Sequence, residues 1–197
     1  MIQNNLLRNP IFYIFSLCLL VFILSLFIEG DVYYYLALAS DGWTSEPWTL
    51  LTSIFVHNGI FHFLINMVAL YFLGTYLLRM IGWKRFLIVY FLAGLAGSLL
   101  FVLLAPTNVA VVGASGAIFG LGGALAILNP VSKVMIIPIP VPMPIWVAVL
   151  AMFVITSLIP NTAWECHLGG LLMGVAIGLF MRLVTFKHYY HNRRFFS

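Results

Sequence analysis

Charged side chains are scarce: 197 residues carry nine Lys or Arg and five Asp or Glu, 7% in all. A soluble globular domain carries about 25%. So few polar groups could not cover a folded surface in water, which excludes a free-standing soluble domain and makes the bilayer the solvent. Only two cysteines are present. Cys18 and Cys166 both lie in or beside apolar runs, so they form no disulfide pattern and say nothing about redox compartment. The basic excess is a formal +4, too small and too dispersed to point to nucleic acid. No linker marks a second domain and no internal repeat is visible, so residues 1–197 are taken as one domain.

What the chain has in abundance is hydrocarbon. It is 63% hydrophobic, with seventeen Phe and five Trp that suit lipid-facing and interfacial positions. Its mean hydropathy is +1.11. Six apolar segments emerge, roughly 10–28, 50–78, 84–104, 115–128, 145–159 and 166–184. A full span needs about 20 residues, and the fourth and fifth fall short. The first is followed by Ala37-Leu38-Ala39, which resembles a signal-peptide cleavage site. The run is longer than a usual signal core, however, and Glu29 and Asp31 intervene, so it is read as a retained span.

The few charges are segregated. Arg8, Arg79, Lys84, Arg85, Lys133, Arg182, Lys187, Arg193 and Arg194 fall at one set of alternate ends, and Glu29, Asp31, Asp41, Glu46 and Glu165 at the other. The positive-inside rule then puts both termini in the cytoplasm and favours six spans over five or seven. Proline at 138, 140, 142 and 144 excludes helix there and predicts an extended, stiff connector on the cytoplasmic surface. The loop from Glu29 to Pro47, rich in aromatic residues, is expected to be interfacial on the outer side. The predicted fold class is an all-α polytopic membrane protein.

Residues 113–120 read GASGAIFG, placing a serine at the start of an apolar stretch too short to cross a bilayer. A buried hydroxyl is costly unless hydrogen-bonded. Taken alone, Ser115 is more simply a satisfied helix serine. Depth changes that reading. Counted at ~1.5 Å per residue from the cytoplasmic ends, Ser115, His167 and Asn66 all come to roughly 20–22 Å, with His62 one turn higher. Three helices thus bring polar groups to one plane within a hydrocarbon core ~30 Å thick. Non-helical chain before Ser115 at that depth needs protein or an aqueous cavity around it. A helix starting there offers free N–H groups and a positive dipole end to an oxyanion.

Gly116, Gly120 and Ala124 form a small-residue stripe at four-residue spacing, and Gly170, Gly174 and Gly178 form another. Facing one another, such stripes pack membrane helices backbone to backbone, and here that would bring His167 to Ser115. No carboxylate is placed to complete a triad, so a Ser115–His167 dyad is expected, with Phe119 one turn on stacking against the imidazole. His62 and Asn66, at i and i+4, share a helix face and would join the Ser115 N–H in an oxyanion hole. Gly113 and Gly116 allow close approach, and His57 would shape the cavity or hold water. His57, His62 and His167 match no usual zinc spacing, so no metal and no cofactor are expected.

Gly113-Ala114-Ser115-Gly116, His62-x-x-x-Asn66, and His167 with Gly170-x-x-x-Gly174 together resemble the rhomboid intramembrane serine proteases, most closely the compact six-helix bacterial GlpG type. The resemblance runs from the first span to the last. It implies a six-helix rhomboid-like bundle whose short fourth helix begins in mid-membrane. It also implies cleavage of transmembrane protein substrates in the lipid bilayer of a bacterial inner membrane, with Ser115 as nucleophile, His167 as base and the fifth span as gate. Three features depart from the family pattern. Trp48 is followed by Thr49 where an arginine is common, Phe119 stands where tyrosine is frequent, and the soluble N-terminal domain of some relatives is lacking. Two rival classes stay open: a proteolytically dead relative that binds membrane clients, and a small transporter or channel using the same polar plane. The second lacks the repeated halves usual in transporters.

Overall fold

A computed structural model describes residues 9–28, 31–136 and 139–193. Arg8, Glu29, Pro138 and Arg194, all used in the charge and proline arguments above, lie outside the described residues.

Among the described residues, four helices are long and apolar enough to cross a membrane. They are α1 (Pro10–Phe27), the continuous helical segment Ile60–Ile81, a helix over Trp83–Leu104, and the stretch Trp164–Val184 of the final helix. Two shorter apolar helices, Ser115–Leu128 and Ile145–Ser157, complete the set. Helix α1 opens on Asn9, whose side chain accepts the Ile11 N–H at 3.0 Å, with Pro10 at the first helical position, where its missing N–H costs nothing.

The segment between α1 and the second long helix is built rather than slack. It contains α2 (Asp31–Leu36), β1 (Leu38–Ala39) and α3 (Thr49–Thr52), followed by a 3-10 turn over Ser53–Phe55. The Trp48 indole N–H donates to the Tyr35 carbonyl at 2.9 Å, and the Thr52 hydroxyl to that of Leu36 at 3.0 Å. Thr49, the departure from the family arginine, is buried and donates to the Glu46 carbonyl at 2.6 Å. These three bonds tie the segment down without an arginine.

The second helix begins later than the hydropathy run suggested. Residues 50–55 form separate short turns, the chain breaks at Val56–Asn58, and Gly59 takes φ +83° before α4 (Ile60–Ala69) starts. Alpha geometry gives way to one π turn at Leu70–Gly74 and resumes in α5 (Thr75–Ile81). Gly82, also left-handed at φ +78°, turns the chain into α6 (Trp83–Leu104).

After β2 (Ala110–Val111), α7 (Ser115–Leu128) forms the centre of the bundle. Strand β2 pairs antiparallel with β1, Leu38 opposite Val111. Nearly every residue of α7 from Gly116 to Leu125 is buried, as expected of a helix apolar all round. Beyond it, β3 (Lys133–Ile136) pairs antiparallel with β4 (Ile139–Pro144), which leads into α8 (Ile145–Ser157). The proline-rich stretch is therefore extended, as expected, but it is half of a hairpin and not a lone connector. Alternate residues send their N–H groups to opposite edges, so prolines spaced by two leave the donors of the other edge for pairing. The chain ends in α9 (Trp164–Arg193).

Helix α7 packs most extensively against α9 and α6. The two small-residue stripes face each other: a Cβ on Gly170 would run into the Gly116 carbonyl, and one on Gly174 into that of Gly120. Gly178 lies against Ala124, its would-be Cβ 3.2 Å from that Cα. At the far end of α7, the Asn129 amide donates to the Tyr76 hydroxyl at 2.6 Å, and Tyr76 to Ser132 Oγ at 2.7 Å. This chain of hydrogen bonds fastens α5, α7 and the hairpin together.

Candidate active site

The segment before Ser115 is held on two sides. Strand β2 is paired to β1, and the Gly113 N–H donates to the Ser53 carbonyl at 2.9 Å. Gly113 has φ +122°, a conformation that favours glycine. The helix then starts abruptly at Ser115. Its first intrahelical main-chain bond runs from the Ile118 N–H to Ala114, which leaves the N–H groups of residues 115–117 without helical partners.

Ser115 and His167 meet. His167 Nε2 lies 2.9 Å from Ser115 Oγ, brought there by the packing of Gly116, the residue after Ser115, against Gly170, one turn after His167. Ser115 is half-buried and His167 is 7% exposed. The Phe119 ring lies 4.6 Å from the imidazole, tilted by 37°, and meets Phe153 of α8 edge-on at 6.0 Å. The other imidazole nitrogen, Nδ1, is 3.3 Å from the hydroxyl of Thr156 on α8. Both ring nitrogens therefore face neutral hydroxyls, and Glu165 takes no part. Thr156 escaped the sequence reading, because a threonine bonding back into its own helix carries no local mark of a tertiary role.

His62 and Asn66 reach the same region from α4. The Asn58 N–H donates to His62 Nδ1 at 3.3 Å, so in the neutral ring Nε2 carries the proton. That nitrogen stands 2.8 Å from the point a Gly113 Cβ would occupy, and Ser115 Oγ 3.8 Å from the same point. A donor and the hydroxyl thus border one small space, which only glycine at 113 leaves open. Buried Asn66 donates one amide hydrogen to the His62 carbonyl at 2.9 Å and keeps a second.

His57 is fully buried behind this pair, its ring 5.3 Å from that of His62. Its carbonyl accepts from the Tyr33 hydroxyl at 2.7 Å, and its Nε2 has no hydrogen-bond partner among the described residues. Cys166 is buried with Sγ against Gly97 and Gly116. A cavity of about 250 Å³ lies elsewhere, between α1 and α6 and under Phe55. It is lined by apolar residues such as Ile14, Leu17 and Leu87 and carries neither serine nor histidine.

An alcohol paired with an imidazole at a helix start, beside two further donors, is the equipment of nucleophilic acyl transfer. The Rhomboid domain family model matches residues 44–183, and the chain belongs to the rhomboid family. It is 33% identical over 149 residues to RHOMBOID-like protein 1 of Arabidopsis thaliana, covering 76% of this chain and 38% of that protein. To Rhomboid protease GluP of Bacillus subtilis it is 37% identical over 141 residues, covering 68% and 27%. A shorter match, 41% over 80 residues, joins it to Inactive RHOMBOID-like protein 8 of Arabidopsis thaliana, covering 41% and 22%. The chain spans less than half the length of these relatives. Family and apolar helices together make it an integral membrane protein.

Proposed function

We propose that this single domain is an intramembrane serine endopeptidase that cuts peptide bonds in or near the transmembrane segments of other membrane proteins. The observation that carries the reading is the 2.9 Å approach of His167 Nε2 to Ser115 Oγ at the start of α7. His167 takes the hydroxyl proton as Oγ attacks the scissile carbonyl carbon. Negative charge then develops on the carbonyl oxygen and is met by the Ser115 N–H, His62 Nε2–H and the second Asn66 amide hydrogen. Collapse of this intermediate transfers the proton from His167 to the leaving amine and leaves an acyl-enzyme. Water, activated by the same imidazole, then hydrolyses the ester.

Water has to reach this plane, so the reading includes a wet cavity open to the outer side, with His57 helping to hold solvent behind His62. It also includes six spans with both termini cytoplasmic, supported by the charge segregation. The four long helices and two short apolar ones fit that count, since α7 starts part-way through the membrane. Helix α8 and the loop after it form the gate. Several of its outer residues, among them Val154, Ile155 and Leu158, are exposed, so it is lightly held on that side.

The match to Inactive RHOMBOID-like protein 8 favours one second reading, a non-proteolytic protein that binds membrane clients. Cleavage of a fluorescent transmembrane substrate, together with fluorophosphonate labelling, separates the two. The protease reading expects wild type to cleave and to label, and Ser115→Ala to do neither while keeping its helical content. Cleavage that persists in Ser115→Ala sinks the mechanism. Wild-type protein that captures substrates without cutting or labelling establishes the second reading.

A further inference from the structure

We infer that Thr156 is the positioning residue that fixes the tautomer of His167, doing with a hydroxyl what a carboxylate does in a three-membered triad. The inference rests on the serine-protease reading above. A general base needs a bare Nε2 facing Ser115, and a neutral imidazole has one only when its proton sits on Nδ1. Stacking on Phe119 sets the plane of the ring but cannot distinguish its two nitrogens, because the π face is the same in both tautomers. Something must accept a hydrogen bond from Nδ1.

Thr156 can only accept. Its single hydroxyl proton is taken within α8, with Oγ1 2.9 Å from the Met152 carbonyl and 3.1 Å from that of Phe153, the back-bonding usual for a helical threonine. The lone pairs left over face His167 Nδ1 at 3.3 Å. Reversing that bond would strip the proton from α8 and put a hydrogen on Nε2, pointing a donor at the oxygen that must lose its own proton. The arrangement with Nδ1–H satisfies every group and leaves the base competent. It also serves the imidazolium formed during attack, whose Nδ1–H keeps its acceptor. A neutral partner suits this depth, where a carboxylate would need its own counter-charge. Because Thr156 sits on α8, the base is held in its working form by the helix proposed as the gate.

The test compares Thr156→Val, which keeps the shape and removes the acceptor, with Thr156→Ser, which keeps the hydroxyl. Both are assayed on a transmembrane substrate and with a fluorophosphonate probe that needs no substrate recognition. One lost hydrogen bond of ordinary strength corresponds to about 5- to 10-fold in rate. Thr156→Val should lose about that much in kcat at unchanged KM and the same factor in labelling rate, and Thr156→Ser should retain most of both. Wild-type kcat and labelling in Thr156→Val overturns the inference. So does equal loss in the valine and serine variants, or a change confined to KM, each of which marks a packing role. Ser115→Ala run alongside keeps the two readings apart: activity there removes the protease mechanism itself, whereas an inert Ser115→Ala with an unaffected Thr156→Val removes only the role of Thr156.

Discussion

Gly170→Ala puts a single methyl group where the Gly116 carbonyl now lies. An ordinary contact between such atoms is ~3.5 Å, so helices α7 and α9 would have to part by more than ~1 Å. His167 sits three residues before Gly170, one turn along the same face of α9. Moving that face back by such an amount takes Nε2 from 2.9 Å to beyond hydrogen-bond range of Ser115 Oγ. A misplacement of ~1 Å in a reacting pair costs ~10²-fold in rate, and forcing a methyl into a closed core costs ~1–3 kcal/mol of stability. The expected outcome is a loss of ~10² in kcat and in probe labelling, with a thermal midpoint lowered but still cooperative. Gly178→Ala is the comparison. Its Cβ would come 3.0 Å from Ile127 Cβ and 3.2 Å from Ala124, a slight overlap two turns further from the site. That variant should keep its rate to within ~3-fold, since a few tenths of an ångström can be absorbed by side-chain adjustment. The assay is cleavage of a fluorescent transmembrane substrate in detergent or bicelles, with labelling measured in parallel. Full activity in Gly170→Ala would refute the backbone contact as what places the dyad. Equal losses in the two variants would refute the claim that distance from the site sets the damage.

On the proposed mechanism Asn66→Ala removes one donor for the oxyanion and should lower kcat by ~10²–10³ with little change in KM, so an unaltered kcat takes Asn66 out of the site. Tyr76→Phe removes the hydroxyl that joins Asn129 to Ser132. It should cost ~1–2 kcal/mol and lower the unfolding midpoint by a few degrees while kcat survives, and an unmoved midpoint shows the bridge is idle.

The bounds of α7 could be read directly, because glycine at 113 and Asn129-Pro130 punctuate an otherwise apolar run. The facing glycine stripes were legible for the same kind of reason: backbone-to-backbone packing permits almost no other residue, so it writes itself into sequence. The second helix was misjudged at its start. Hydropathy averages over residues 50–55 and 60–69 alike, whereas His57-Asn58-Gly59 carried a turn signal that the average hid. The hairpin was missed because prolines at every second position also describe a solitary extended strand, and only the register Val134 opposite Met143 reveals the partner. Thr156 and the Tyr76 bridge were out of reach for a common reason. Each depends on where a lone pair points after helices distant in sequence have packed, and no periodicity encodes that.

A helix wrapped by other helices from Gly116 to Leu125 has almost no lipid of its own to answer to. Thicker or thinner bilayers would tilt the outer ring, yet Ser115 Oγ keeps its height relative to His167 Nε2, since both are referenced to protein and not to headgroups.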